Sequence, residues 1–208
     1  LDAVAAHVGW SMTRPGTRAA VLIEVDGMSA AVDEEIALVD QACRAAAAID
    51  VRRAKSEEER DTLWAVRREL SPALKNISNI KLNNDVVVPC GRVPELFALV
   101  EQLRARYALR IPSFGHAGDG NIHVNIMVSP EDADEIARAQ QAVGELFQGV
   151  VALEGSISGE HGIGFAKAAF FGWEVDRETE LLMRRVKQAF DPSGLLNPGK
   201  IFAESRTR

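Results

Sequence analysis

The sequence predicts an α+β fold in which helices cover antiparallel strands, and three observations carry that prediction. The second half orders its elements strand, helix, strand, strand, helix, strand, the order of a ferredoxin-like plait. Residues 121–126 alternate polar and aliphatic with period two, as a strand with one covered face does. Residues 30–48 are Ala-rich and place Ile36, Val39 and Cys43 on one stripe, as an amphipathic helix does.

Taken in order, residues 19–25 are aliphatic and stop at Asp26-Gly27, which predicts a strand ending in a turn. A helix follows over 30–48, then a second strand over 49–54. Ser56, with Glu59 three residues on, forms a capping box, and Glu57, Glu58 and Glu59 sit at the positive end of the helix dipole. That helix should run to about Leu70 and stop before Pro72. The elements of 19–75 allow the plait to be duplicated, with subdomains at 19–75 and 84–160. Residues 75–84 are polar and take no assignment. Strands are then predicted at 85–89, 110–114 and 121–128, helices at 93–107 and 130–153, and a short strand at 156–158. A last helix over 176–190 carries Leu182, Val186 and Phe190 on one side and ends at Asp191-Pro192. The tail 195–202 mixes turn and apolar residues and is expected to be a loop pinned against something.

Composition narrows the function. The chain has 208 residues, 47% hydrophobic and 26% charged, with a net charge of −6, which excludes disorder and argues against a nucleic-acid partner. No apolar run approaches the ~18 residues of a membrane span. Cys43 and Cys90 stand far apart and outside any CxxC, so neither a disulfide framework nor a structural zinc site is expected, and a cytoplasmic location is the default. The opening Leu1-Asp2-Ala3-Val4 lacks an initiator Met and reads as neither a signal nor a transit peptide; a fragment or a processed chain is expected.

Three of the four histidines fall in two Gly-rich stretches. The first runs from Gly115 through His116, Gly118, Asp119, Gly120, Asn121, His123 and Asn125. Asp119-Gly120 is a turn signal that can fold His116 back toward His123, and two imidazoles on adjoining strands make a plausible metal pair. A tight hairpin with a satisfied pair of core histidines reads equally well from the spacing. The second runs from Glu154 to Gly164 and contains Glu160-His161. Its glycine order is not that of a dinucleotide fingerprint, and it lacks the Gly-Lys-Ser/Thr ending of a P-loop. Glu160 could complete a His2Glu set with an open position, leaving His161 as acid or base; an incidental Glu-His pair on a surface loop is the plainer reading. In a third stretch Arg67 follows Trp64 by one helical turn and could clamp a substrate carboxylate, or simply pair with a neighbouring acid.

The motifs Gly-His-x-Gly-Asp-Gly-Asn-x-His-x-Asn at 115–125 and Gly-Ser-x-Ser-Gly-Glu-His-Gly-x-Gly at 155–164 resemble the signature of the FAD-linked oxidase C-terminal domain. Its relatives, in the vanillyl-alcohol oxidase superfamily, include D-lactate dehydrogenases, the glycolate oxidase flavoprotein subunit and D-2-hydroxyglutarate dehydrogenase. The Trp-x-x-Arg segment, 85–89 and the Asn-Pro-Gly-Lys-x-Phe tail at 197–202 match in the same order, so the resemblance covers roughly 19–202. It implies the substrate-binding cap of an FAD-dependent D-2-hydroxy-acid dehydrogenase. It also implies metal ligands at His116, His123 and Glu160 for a divalent ion, most readily Zn2+, and a catalytic base at His161. Substrate contacts are implied at Arg67, Ser71 and Asn125. Some members carry a Lys where this chain has Asn83, with Lys81 two residues back as the candidate substitute. No segment here resembles the family's N-terminal FAD-binding domain, so FAD is expected from that domain as partner and the 208 residues alone are expected to be catalytically silent. The resemblance does not name the electron acceptor. It is compatible with a homodimer and with peripheral attachment to the inner membrane through another subunit. Two other classes fit the residues: a non-haem iron oxygenase built on a facial triad, and a metal- or acid-binding module without chemistry of its own.

Overall fold

A computed structural model describes residues 14–78 and 80–202. The chain divides into two compact units, one ending at Ile77 and the other beginning at Ser78.

The first unit contains helices α1 (Ser29–Ala45) and α2 (Glu57–Ala73), followed by a 3-10 turn at Leu74–Asn76. Ser56 caps α2 by accepting the Glu59 N–H at 3.2 Å, while the Glu59 carboxylate accepts the Lys55 N–H at 2.7 Å. The helix carries on past its predicted stop and includes Pro72. A proline in the last turn removes only one backbone bond, and the tighter 3-10 turn takes over beyond it. The strands predicted at 19–25 and 49–54 do not form, and among the described residues of this unit there is no strand and hence no second plait. Val21 is 72% exposed and Ile49 60% exposed. A β-branched run becomes a strand when a partner and a covered face are supplied, and neither is present here.

The second unit holds β1 (Ile80–Val87), α3 (Val93–Tyr107), β2 (Ser113–His116), β3 (Asn121–Val128), α4 (Ala133–Ala152), the single turn α5 (Phe171–Glu174) and α6 (Arg177–Phe190). The sheet is antiparallel in the order β1-β3-β2. β1 starts five residues before the predicted strand, because the polar run from Lys81 to Asn84 pairs with Met127 to Val124 across the ladder. The strand predicted at 110–114 is broken at Pro112, which has no N–H to donate. Its register survives the break: Arg110 bridges Met127, and Ser113 pairs with Val124. The predicted fourth strand shrinks to one bridge on the outer side of β1, where Val87 and Ser156 exchange both backbone hydrogen bonds at 3.0 and 2.8 Å.

One face of the sheet carries Val86, Ile122, Val124, Ile126 and Val128, and α3 and α4 cover it with Leu96, Val100, Leu103, Leu146, Phe147 and Val150. The two helices approach closely at Gly149, where a Cβ would stand 2.3 Å from a methyl of Leu99. Asp132 caps α4 by accepting the Glu135 N–H at 2.8 Å, and Asp176 caps α6 by accepting the Thr179 N–H at 2.7 Å. Leu182, Val186 and Phe190 line one side of α6 as the periodicity requires, but that side is exposed. The tail is pinned as expected: the Asp191 carboxylate accepts the N–H groups of Leu195 and Leu196, and Phe202 packs edge-on against Phe171. Among the described residues no helix is long and apolar enough to cross a membrane.

Phe147 is the largest of the fully buried side chains and meets Phe170 edge-to-face at 5.0 Å. Phe147→Ala is expected to destabilise the protein by about 3–5 kcal/mol, read as a lowered urea midpoint. A loss below about 1 kcal/mol would mean that the core closes over the gap.

Candidate active site

The polar face of the sheet holds the site. Asp119 and Gly120 make the turn between β2 and β3, with the Asp119 carboxylate accepting the Asn121 N–H at 3.1 Å. Gly120 has φ +79°, and a Cβ there would stand 1.9 Å from the Val88 carbonyl oxygen, so the turn admits only glycine. This turn sets His116 opposite Asn121 and Phe114 opposite His123. The His116 and His123 rings lie 6.2 Å apart, edge to face. On the other side of β3, Asp85 faces His123 and Asn83 faces Asn125.

After α4 the chain bridges β1 at Ser156 and crosses back over this face through Gly159, Glu160 and His161. The imidazole of His161 stacks on that of His123 at 5.4 Å. Glu160 Oε1 lies 3.5 Å from His123 Nε2 and 3.8 Å from His161 Nε2. His123, Glu160 and His161 each offer a ligand atom within 4.8 Å of the others. Two imidazoles and a carboxylate are the donor types that Zn2+ takes. His123 adds a second sign of fit: its Nε2 faces Glu160, while its buried Nδ1 has no hydrogen-bond partner and lies 3.6 Å from Asp85 Oδ1. A ligating histidine commonly turns its other nitrogen to a carboxylate in this way.

The electrostatics follow from depth. Burial pushes the His123 imidazole below its ordinary pKa, against the upward pull of Asp85 and Glu160, so the ring favours its neutral, ligand-ready form. For Asp85 burial alone would raise the pKa. The Asn121 amide and the backbone N–H groups of His161 and Glu160 outweigh it and hold the carboxyl below the usual range.

Of the residues singled out from sequence, the second unit brings together His123, Glu160 and His161, with His116 diagonally across on β2, its ring 6.2 Å from that of His123. Asn125 is fully buried beside His123; its amide donates to the carbonyls of His123 and Pro112, and its Oδ1 has no partner. Lys81 and Asn83 stand on the same face of β1 as Asp85, with Lys81 about 13 Å along the strand from it. Arg67 and Ser71 are carried by the first unit on α2, one turn apart. Two residues escaped the sequence reading, Asp85 and Lys167. In the sequence Asp85 opens a strand and a short motif of the resemblance, with no role of its own. An acid directly before three consecutive β-branched residues is the signal that would have marked it, because a buried carboxylate must be held by something.

The family model for the C-terminal domain of FAD-linked oxidases matches residues 1–201. The chain is 35% identical over 90% of its length to glycolate oxidase subunit GlcD of Bacillus subtilis strain 168, of which it covers 40%. It is 31% identical over 90% of its length to a probable mitochondrial D-lactate dehydrogenase of Danio rerio, covering 38% of that protein. To D-2-hydroxyglutarate dehydrogenase of Stutzerimonas stutzeri it is 35% identical over 72% of its length, covering 32%. The chain therefore spans at most two fifths of the length of these curated relatives.

Proposed function

Because the chain belongs to the family of FAD-linked oxidase C-terminal domains, we propose that it is the substrate- and metal-binding part of an FAD-dependent D-2-hydroxy-acid dehydrogenase. The substrate is a D-lactate-, glycolate- or D-2-hydroxyglutarate-type acid, oxidised to its 2-oxo acid. The observation that carries the reading is the convergence of His123, Glu160 and His161 at one point, in a chain that matches the family almost end to end.

His116, His123 and Glu160 are the residues that would hold a divalent ion, Zn2+ by donor type. The ion would supply a charge that makes the substrate hydroxyl more acidic, and FAD, held by an N-terminal domain of the full-length protein, would supply the acceptor for the Cα hydride. His161, half exposed beside Glu160, takes the hydroxyl proton as the carbon–oxygen double bond forms. On the resemblance alone, Arg67 and Ser71 of the first unit are assigned to the substrate carboxylate. Asn125 contributes its unpartnered Oδ1 to the polar surroundings of the reacting group. Lys81 suits a second, distal carboxylate where the acid carries one. The same distances favour a second reading, in which His161 is itself the third ligand and His116 lies outside the set.

The test is anaerobic mixing of the full-length protein with D-lactate, glycolate, D-2-hydroxyglutarate and the L-acids, together with elemental analysis. Bleaching of bound flavin by at least one D-acid or by glycolate, with a stoichiometric divalent metal present, is the expected result. The 208-residue chain with free FAD is expected to reduce no dye. A flavin-loaded, metal-loaded protein that none of these acids bleaches would overturn the assignment.

A further inference from the structure

Asp85 has no exposed surface, and its neighbours Val86 and Val88 belong to the core. An ionised carboxylate in that position costs several kcal/mol unless hydrogen bonds hold it. Here three do. Oδ1 accepts the Asn121 amide at 2.7 Å, and Oδ2 accepts the backbone N–H groups of Glu160 and His161, both at 2.8 Å. The Asp85 carbonyl oxygen accepts the Gly159 N–H at 3.3 Å and the Lys167 ammonium at 2.7 Å. Three consecutive backbone donors at the start of the loop, and a side chain at its end, thus converge on one residue of β1. Lys167 is itself buried, with its ammonium 5.9 Å from the centre of the Phe147 ring. Gly159 has no room for a side chain, since a Cβ would stand 1.8 Å from Asn121 Nδ2.

From this arrangement we propose that Asp85 is the positioning residue of the site: it fastens both ends of the 159–167 loop to β1 and sets the orientation of His123. The proposal rests on the reading of His123, Glu160 and His161 given above. Asp85 touches neither substrate nor cofactor. It places the backbone from which Glu160 and His161 project, and its Oδ1 is the one carboxylate oxygen within 4 Å of His123 Nδ1 among the contacts described. Glu160 Oε1 stands as near to Nε2, at 3.5 Å, but it is exposed and screened by water whereas Asp85 is buried, so the pair favours the tautomer with the proton on Nδ1 and leaves Nε2 as the lone-pair nitrogen. Lys167 completes the clamp by pinning the far end of the loop to the same peptide unit.

The test uses the full-length protein and its Asp85→Asn variant, because asparagine keeps the shape and removes the charge. Hydrogen exchange should show protection of the Glu160 and His161 amides falling about tenfold or more, while the Val124 and Ile126 amides of β3 are unchanged. Zn2+ affinity of the metal-free protein should fall about 10–100-fold. A second measurement needs no variant: nitrogen chemical shifts of His123 in the metal-free wild type should report the Nδ1-protonated tautomer, and they decide the matter if the variant does not fold. Wild-type protection and Zn2+ affinity in Asp85→Asn, or an Nε2-protonated His123 in the wild type, would overturn the proposal. A wild type that binds no Zn2+, while the exchange and tautomer results hold, would refute the metal reading and leave the positioning role standing.

Discussion

His161→Ala in the full-length protein is expected to lower turnover by about 10²–10⁴-fold, with metal content near that of the wild type. The fold should persist, since the bond His161 makes to Asp85 uses its backbone N–H, which alanine retains. The side chain is half exposed and contributes no core packing. Steady-state kinetics and elemental analysis of one preparation separate the two readings of this residue. Lost turnover with metal retained identifies a proton acceptor; lost turnover together with lost metal identifies a ligand, and makes His116 the residue to remove from the set. Near-normal turnover is incompatible with either role.

Gly159→Ala is expected to be nearly as damaging, by a different route. The added Cβ would lie 1.8 Å from Asn121 Nδ2 and 2.8 Å from Asp85 Oδ1. Asn121 is buried and also donates to the Val86 carbonyl at 3.3 Å, so its amide is not free to swing away. Either the loop lifts off the strand, or the Asn121–Asp85 bond breaks and an acid in the interior is left short of a donor. Displacements of about 1 Å at a reacting group cost about 100-fold in rate. Turnover should fall by about that factor, and the melting temperature should fall with it, since an unsatisfied buried charged group costs about 1–3 kcal/mol or more. Wild-type kinetics in this variant would mean that the loop position is immaterial.

The sequence reading succeeded where pattern and packing coincide. The alternation at 121–126 placed Asn121, His123 and Asn125 on one face, and Asp119-Gly120 placed the turn that folds His116 toward them. It failed where a segment's fate is decided by what lies beside it. Residues 19–25 have the composition of a strand and, among the described residues, no strand pairs with them, whereas the polar Lys81–Asn84 run has the composition of a loop and pairs along its whole length. Pro112 interrupts hydrogen bonding without shifting register, which no local propensity expresses. The role of Asp85 was invisible for a related reason. Four of its five donors, from Gly159, Glu160, His161 and Lys167, are more than seventy residues away, and only the closed fold brings them to one residue.

The site has two halves of unequal firmness. His123 comes from the central strand, all eight residues of which are buried and which is paired on both edges. Glu160 and His161 come from a loop held by backbone donors and one ammonium. The free energy needed to open a segment scales with the packing it gives up, so the loop is the weaker half, and what opposes its lifting is the interior carboxylate of Asp85, which would lose the Glu160 and His161 N–H groups.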